Sequence, residues 1–345
     1  MNYKGFKVTV LMPVYNGEKY IREAIASILN QTFRDFEFLI INDGSTDRSV
    51  EIINSYKDPR IRLVHNENNL KLIATLNKGL DLSVGEYLVR MDCDDIALPE
   101  RIKKQVSFMD GHPDVVVSGT WLKTVGNGFD KVWTVPRNHE DIRCRMLFED
   151  VIYHPTVIMR LKPFKDHGIY YRSFIHAEDY ELWVRIMEQF KVANIDEVLL
   201  YYRVHPGQIV KKYKEIKENT TDRIRLIQLH KLGIYLEDNE LEIHRMLSCN
   251  RCRYDRDFVK ASDAWLNKLQ KRNEEIGIYS KIHFAHLLAN IWFCVCNSNA
   301  LLGLWSWRAF WKSPLSVYAN IGEVVELKFL MKCLIKWKRH GYSKS

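Results

Sequence analysis

Residues 90 to 102, RMDCDDIALPERI, place Asp92, Asp94 and Asp95 directly after an apolar run that ends in Leu88-Val89. Side chains of an extended strand alternate faces, so Asp92 and Asp94 point the same way. Their repulsion has to be relieved by protons, by arginines or by a cation. An Asp-x-Asp pair at a strand end can hold Mg2+ or Mn2+ through oxygen ligands, and a divalent ion bridging a diphosphate neutralises the charge that develops as it departs. The two familiar phosphate-binding loops are missing: the chain has no G-x-x-x-x-G-K-[ST] and no G-x-G-x-x-G after its first strand. A second acidic pair, Glu178 and Asp179, opens the helical pattern HAEDYELWVRIMEQF, where the helix dipole favours acids in the first turn. Taken alone, Asp92 to Asp95 also suit a solvated loop, with Asp95 capping the helix that follows Pro99.

The elements that must position these acids alternate strand and helix over the first 120 residues. KVTVLMPVY reads as a buried strand, GEKYIREAIASILNQ as a helix with Tyr20, Ile21, Ala24, Ile25 and Ile28 on one face, and FEFLIIND as a second buried strand. STDRSVEIINSY follows as a helix with Ser45 or Thr46 as its cap, then IRLVH as a strand, LIATLNKGLDL as a helix and EYLVRMD as a strand. Continuously apolar strands separated by helices imply an α/β fold built on a parallel sheet with right-handed crossovers. Ligands of such sheets bind at the carboxyl ends of the strands. There the unusual residues gather: Pro13-Val14-Tyr15-Asn16, Asn42-Asp43-Gly44-Ser45, and Asp92 to Asp95. ERIKKQVSFM, VVVSGTWLK and EVLLYYRVHPGQIV continue as helix, strand, and strand running into a loop, and from about residue 212 charged helical segments take over without a glycine-rich linker.

With 345 residues, 46% of them hydrophobic, the chain can bury a sizeable core and suits one large domain plus an appendage, or two domains. Its net charge of +8 is unevenly placed: the last 65 residues hold nine Lys or Arg against two Glu, hence +7, leaving +1 for the first 280. MNYKGFKVTV enters a strand-like run and lacks the basic and long apolar regions of a signal peptide. Seven cysteines at irregular spacing imply free thiols in a reducing compartment, and Cys249-x-x-Cys252 reads as two helix-surface thiols rather than a zinc site.

Six ordered segments, VLMPVYNGEKYIREAIASILNQT, IINDGSTDRS, GEYLVRMDCDDIALPERIKKQ, HPTVIMR, AEDYELWVRI and YYRVHPGQ, give residues 7 to 210 a sequence that resembles the family 2 glycosyltransferases of the GT-A fold. The resemblance implies a Rossmann-like, mostly parallel sheet flanked by helices in residues 1–211; the charged helical segments beyond it make 212–345 a helical, membrane-associating C-terminal region by expectation. It implies that the Pro13–Tyr15 turn and Asp43 hold the nucleotide base, a carboxylate being suited to accept the uracil imide N–H, although Asp43 could instead cap a turn. Asp92 would then address the ribose and diphosphate, and Asp94 would be the main ligand of Mn2+ or Mg2+. Asp95 either completes the cluster or caps the next helix, and Asn16 fits a helix N-cap and a ligand contact equally. Asp179 matches the family's catalytic base, needed because a hydroxyl is a poor nucleophile, with Glu178 as a supporting acceptor contact. His205 falls where a third metal ligand is often placed, and His154 reads as packing beside the site. The sequence departs from the family at Lys71, where many relatives have glycine.

Polymerising members of the family carry Gln-x-x-Arg-Trp and several membrane spans, and this chain has no such motif, which implies one sugar added at a time. Residues 282 to 307 contain no Asp, Glu, Lys or Arg, yet His283, His286, Asn290 and Asn297-Ser298-Asn299 interrupt them, so a span is disfavoured. Trp305, Trp307 and Trp311 resemble an interfacial belt, and EVVELKFLMKCLIKWKR sets Lys328, Lys332 and Lys336 along an apolar helix; packing on the body of the protein is the alternative. The expectation is an inverting, metal-dependent, UDP-sugar-using enzyme of O-antigen, capsule or exopolysaccharide synthesis. It would act on a lipid-linked saccharide at the cytoplasmic, inner face of an anionic membrane, with no role for nucleic acid. The rivals are a nucleotidyltransferase, which VLMPVYNGEKY matches poorly, and a silent sugar-nucleotide-binding module, which would have lost the acids.

Overall fold

The computed structural model describes residues 5–126, 130–205, 213–237, 239–249, 251 and 253–335. They fall into two compact units, 1–142 with 150–221, and 143–149 with 222–345.

The first unit holds a sheet of nine strands among the described residues: β1 (Val8–Val14), β2 (Phe36–Asn42), β3 (Ile61–His65), β4 (Tyr87–Arg90), β5 (Ile96–Ala97), β6 (Val115–Val125), β7 (Val132–Trp133), β8 (Ile158–Arg160) and β9 (Lys191–Arg203). Their order is β3-β2-β1-β4-β8-β6-β9-β5, with β7 on β6. β1, β2, β3, β4, β6 and β9 run the same way, and β5, β7 and β8 run against them, so the sheet is mixed but mostly parallel. The α/β expectation holds. Every residue of β1 and β2 is buried, which requires cover on both faces and explains their unbroken apolar sequences. Helix α1 (Ile21–Leu29) supplies part of that cover through Ile21, Ala24, Ile25 and Ile28, the helical spacing read from sequence.

Register brings the functional loops level. Pro13 pairs with Ile41 and Val14 with Asn42, while the Met91 N–H donates to the Leu11 carbonyl, so β1, β2 and β4 end side by side. The first two loops are also laced together. The Asn16 N–H donates to Ser45 Oγ (3.0 Å), the Thr46 N–H to Asn16 Oδ1 (2.8 Å), and the Gly17 N–H to Ser49 Oγ (2.8 Å). This corrects two expected caps. Helix α2 (Ser49–Asn54) starts beyond Ser45 and Thr46, and Tyr20, not Asn16, precedes α1. Those polar side chains tie loop to loop because the level strand ends leave backbone N–H groups that need acceptors.

Further along the first unit lie α3 (Leu72–Leu82), α4 (Arg101–Gly111), α5 (His139–Arg145, whose last residues enter the second unit), α6 (Leu161–Asp166) and α7 (Glu178–Ile186). In the second unit, helices α9 (Glu240–Ser248), α10 (Arg256–Ile276), α11 (Lys281–Ser298), α12 (Leu304–Lys312) and α13 (Glu323–Ile335) follow α8 (Lys214–Lys231). α10 is capped at its start by Asp255, which accepts from the Phe258 N–H (2.6 Å), and ends on Gly277 at φ +76°. α11 carries the charge-free stretch, and it is a core helix: Phe284, Leu288, Trp292 and Val295 are buried with Leu266, Leu269, Phe310 and Phe329. Among the described residues no helix is long and apolar enough to cross a membrane. Trp305 and Trp307 pack against the same core, which leaves Trp311 as the exposed member of the expected belt. Cys249 is exposed after α9, and Cys252 and Lys336 lie outside the described residues.

Candidate active site

The acids that end β4 converge. Ligand oxygens of Asp92, Asp94 and Asp95 lie within 4.8 Å of one another, with Asp95 buried and the other two partly open. His205, two residues beyond β9, brings Nε2 to 3.0 Å from Asp94 Oδ2 and sets its ring 4.8 Å from that of Tyr20. Asp95 does not cap α4. Its Oδ1 accepts the Arg203 N–H (2.9 Å), Arg203 Nε donates to the Asp94 carbonyl (2.9 Å), and Asp95 Oδ2 is buried with no hydrogen-bond partner among the described residues. Beneath the cluster Arg90 is almost fully buried and pairs with Asp92, while the Arg101 guanidinium of α4 donates to the Arg90 carbonyl (2.7 Å) and holds the strand end.

Burial pushes Asp95 well above the usual carboxylate range, and the charges of Asp92 and Asp94 add to it. Burial likewise raises Asp92 against the pull of Arg90, with Asp94 opposing Arg90. Among the described residues these three carboxylates have one guanidinium, that of Arg90, paired with them, and they are under-neutralised. Carboxylate oxygens, one of them orphaned, beside an imidazole nitrogen are a donor set that fits Mn2+ or Mg2+. Cys93, within the cluster, is no nucleophile: burial pushes its thiol up.

The second acid pair stands at the start of α7. Asp179 Oδ1 accepts the Tyr180 N–H (2.8 Å), and its Oδ2 lies 3.9 Å from His154 Nδ1. His154 Nε2 is hydrogen-bonded to the Tyr171 hydroxyl (2.9 Å), and Asn77 of α3 fixes Tyr171 by two backbone contacts of 2.9 and 3.0 Å. Burial, with Arg90 nearby, lowers the His154 pKa well below its ordinary value, so the imidazole is neutral and offers one donor and one acceptor nitrogen. When Tyr171 donates to Nε2, the Nδ1–H faces Asp179. Glu178 is buried, and burial with the Asp179 charge raises it to about 7. The two acids of α7 thus differ: Asp179 is partly open, Glu178 sealed. Arg90 contributes to the field at Asp92, Glu178, His154 and Tyr171, and Asp179 adds to the charge felt by Asp92, so the two acid groups form one site.

Asp43, at the end of β2, is buried and holds the loop that leads into α3. Oδ1 accepts from Asn66 Nδ2 and the Leu70 N–H (both 2.8 Å), and Oδ2 from the Lys71 N–H (3.0 Å). Those three donors leave one of about four lone-pair sites on the carboxylate open. Next to it Gly44 has φ +73°, and a Cβ there would stand 2.8 Å from the Asn69 nitrogen, which only glycine avoids. Pro13 is buried and Tyr15 is half exposed at the mouth of this loop pair.

Every expected site residue thus lies at a strand's carboxyl end or at the start of α7. Arg90, Arg203 and Tyr171 were not singled out in the sequence. Arg90 did leave a signal, a cation inside an apolar strand immediately before three acids; Tyr171 left none, because 171 and 154 meet only in the fold.

A sequence profile described as Glycosyl transferase family 2 matches residues 9–168. The chain is 35% identical over 244 residues to a protein of Haemophilus influenzae named only as an uncharacterized glycosyltransferase, covering 66% of this chain and 76% of that one. It is 31% identical over 237 residues to the amylovoran biosynthesis glycosyltransferase AmsE of Erwinia amylovora, covering 66% and 86%. In fold it is similar to S. aureus TarS 1–349 in complex with UDP-GlcNAc (TM-score 0.54, 21% identity, 90% of each chain). A second fold likeness is to the mannosyltransferase PcManGT of Pyrobaculum calidifontis in complex with GDP-Man and Mn2+ (TM-score 0.53, 14% identity, 94% and 88%).

Proposed function

Because the chain belongs to glycosyl transferase family 2, we propose that it moves one sugar from a nucleotide-sugar, a UDP-hexose, to a hydroxyl of a saccharide acceptor, with inversion and with dependence on Mn2+ or Mg2+. The observation that carries this reading is the convergence of Asp92, Asp94, Asp95 and His205 at the end of β4, with Arg90 paired to Asp92 and acting also on Glu178, and with Asp179 near enough to act on Asp92. Fold relatives bound to UDP-GlcNAc, and to GDP-Man with Mn2+, support the donor class and the metal. Residues 1–211 are assigned the catalysis and 212–345 an accessory role.

In this mechanism Asp43 accepts the base's imide N–H on its remaining lone-pair site, with Tyr15 and Pro13 walling the base and Asn16 fixing that loop. Asp92 faces the ribose and diphosphate, and Asp94 with His205 would hold the ion. A bound divalent ion neutralises the charge that develops on the departing diphosphate. Asp179 takes the proton of the acceptor hydroxyl while that oxygen bonds the anomeric carbon from the face opposite the leaving group, which inverts the centre. Glu178, buried and with its pKa raised to about 7, supports the acceptor side of the site. The acceptor is lipid-linked, the product a surface polysaccharide, and the work is done at the inner face of the cell membrane. Support comes from the relative named for amylovoran biosynthesis and from the basic, apolar C-terminal region.

Donor hydrolysis across a panel of nucleotide sugars, with and without Mn2+, tests the reading. Asp94→Ala is expected to lose metal-dependent UDP binding in calorimetry while the fold survives. Asp179→Asn is expected to keep that binding and lose transfer by about a hundredfold or more, the scale of a missing general base. Undiminished metal-dependent binding in the first variant, or near-normal transfer in the second, overturns the corresponding role.

A further inference from the structure

The last described helix presents two unlike faces. Phe329 and Cys333 of α13 are buried, Phe329 ringed by Phe293, Trp307 and Phe310. The opposite face carries Val324, Leu327, Met331, Leu334 and Ile335, each between 45 and 65% exposed, at spacings of three, four, three and one residue. That is a helical stripe, so the five side chains form one apolar strip instead of scattered exceptions. Lys328 is exposed beside it, and Trp311 and Val317, from α12 and the turn after it, add 44 and 83% exposed apolar surface in the same unit. Contiguous apolar patches of this kind on a soluble protein mark a partner or a membrane.

We infer that this outer face of α13 is a docking surface for an anionic lipid bilayer, lying in the interface with its apolar stripe inserted. Charge decides the occupant. The stretch from residue 281 onward carries +7, and its last ten residues, KWKRHGYSKS, contribute four Lys or Arg and no acid. α13 itself is balanced, Glu323 and Glu326 against Lys328 and Lys332, so the excess is carried by the rest of the stretch; a second copy would set that excess against itself, whereas anionic headgroups complement it. The chain's own last ten residues hold no Val, Leu, Ile or Met with which to cover the stripe. A helix with an apolar face and flanking Lys, Arg and Trp has the composition of an interfacial anchor. The structure also changes the expected balance: Lys332 is turned inward to Asn297 Oδ1 (2.9 Å), so the outer face is more apolar than a lysine stripe. Attachment should therefore resist salt in part.

The assignment deepens the membrane-facing part of the proposed function and rests on it for its purpose. The test is co-sedimentation of the full chain with phosphatidylcholine vesicles and with vesicles containing phosphatidylglycerol, at 0.1 and 1 M KCl. The expected result is binding to the anionic vesicles that weakens, but persists, at high salt as charge is screened. Leu327→Glu with Met331→Glu should lower it at least tenfold, while Leu327→Phe with Met331→Leu retains it. Melting temperature and UDP binding, followed in each variant, confirm folding. Binding that survives both glutamates overturns the inference. So does a dimer that those glutamates dissociate and that ignores vesicles, or vesicle binding that appears only when the chain is ended at Ile335. Loss of donor hydrolysis chemistry with vesicle binding intact would count against the transferase reading alone.

Discussion

Arg90 is the residue around which the site is balanced. Placed where an apolar side chain would complete β4, it is buried and paired with Asp92, and its Nε has no hydrogen-bond partner among the described residues. A buried cation of this sort is costly by itself and tolerable only beside carboxylates. The same economy of charge makes Glu178 an unfavourable anion. Its folded pKa of about 7 stands above its ordinary 4.5, so the stability associated with its proton is fully present below pH 4.5 and is lost as pH rises through 7. Glu178→Gln, which cannot ionise, is expected to be more stable than the parent at pH 8 by up to about 3 kcal/mol. The difference should shrink through pH 7 and vanish near pH 4.5. Thermal unfolding of both proteins across pH 4 to 8 measures it; a pH-independent difference would mean that Glu178 is not held neutral by burial.

Strain marks the elements that border the site. Among the described residues the non-glycine positions with positive φ are Asn16 (52°), Lys71 (73°) and His176 (65°). Asn16 follows β1, Lys71 precedes α3 beside Asp43, and His176 stands two residues before Glu178. Such conformations cost about 1 to 3 kcal/mol and persist where surrounding contacts enforce them. Lys71 is enforced by its N–H on Asp43 Oδ2 and by Asn69 Oδ1, both at 3.0 Å. That conformation is one glycine adopts without strain. Lys71→Gly should relieve the strain while losing roughly 0.5 to 1 kcal/mol to glycine's freedom in the unfolded chain, for a net gain of about 1 kcal/mol. Urea denaturation reads the gain; a loss of stability would show that the lysine side chain makes a contact worth more than the strain.

At the scale of the molecule, the C-terminal helices are structural before they are anything else. Ending the chain at residue 280 would remove Phe284, Leu288, Trp292, Val295, Phe310 and Phe329 from the second unit's core. At about 1.5 to 3 kcal/mol for each large buried side chain, the loss is on the order of 10 kcal/mol, comparable to the whole stability of a domain. The second unit is expected to unfold, seen as rapid proteolysis of residues 222–280 in the shortened protein. Survival of a compact 222–280 fragment would show that α11 to α13 add to a core already complete.

The sequence by itself determined the strand and helix alternation, because buried parallel strands and one-sided helices have different periods. It also determined that the polar loops gather at the strand carboxyl ends, and it exposed the Asp92, Asp94 and Asp179 candidates through acids placed where a strand or helix pattern changes. Tertiary structure alone decided the partners of those acids. His205 meets Asp94 across 111 residues, Tyr171 meets His154 across 17, and Asp43 reaches the Lys71 N–H across 28. Residues 143–149 join the second core although the chain places them in the middle of the first unit. Local periodicity reports what one segment buries, not which segment covers it. For the same reason the sequence could name the 282–307 stretch as apolar, and only packing showed that α11 spends that apolarity on a core while α13 leaves its own facing outward.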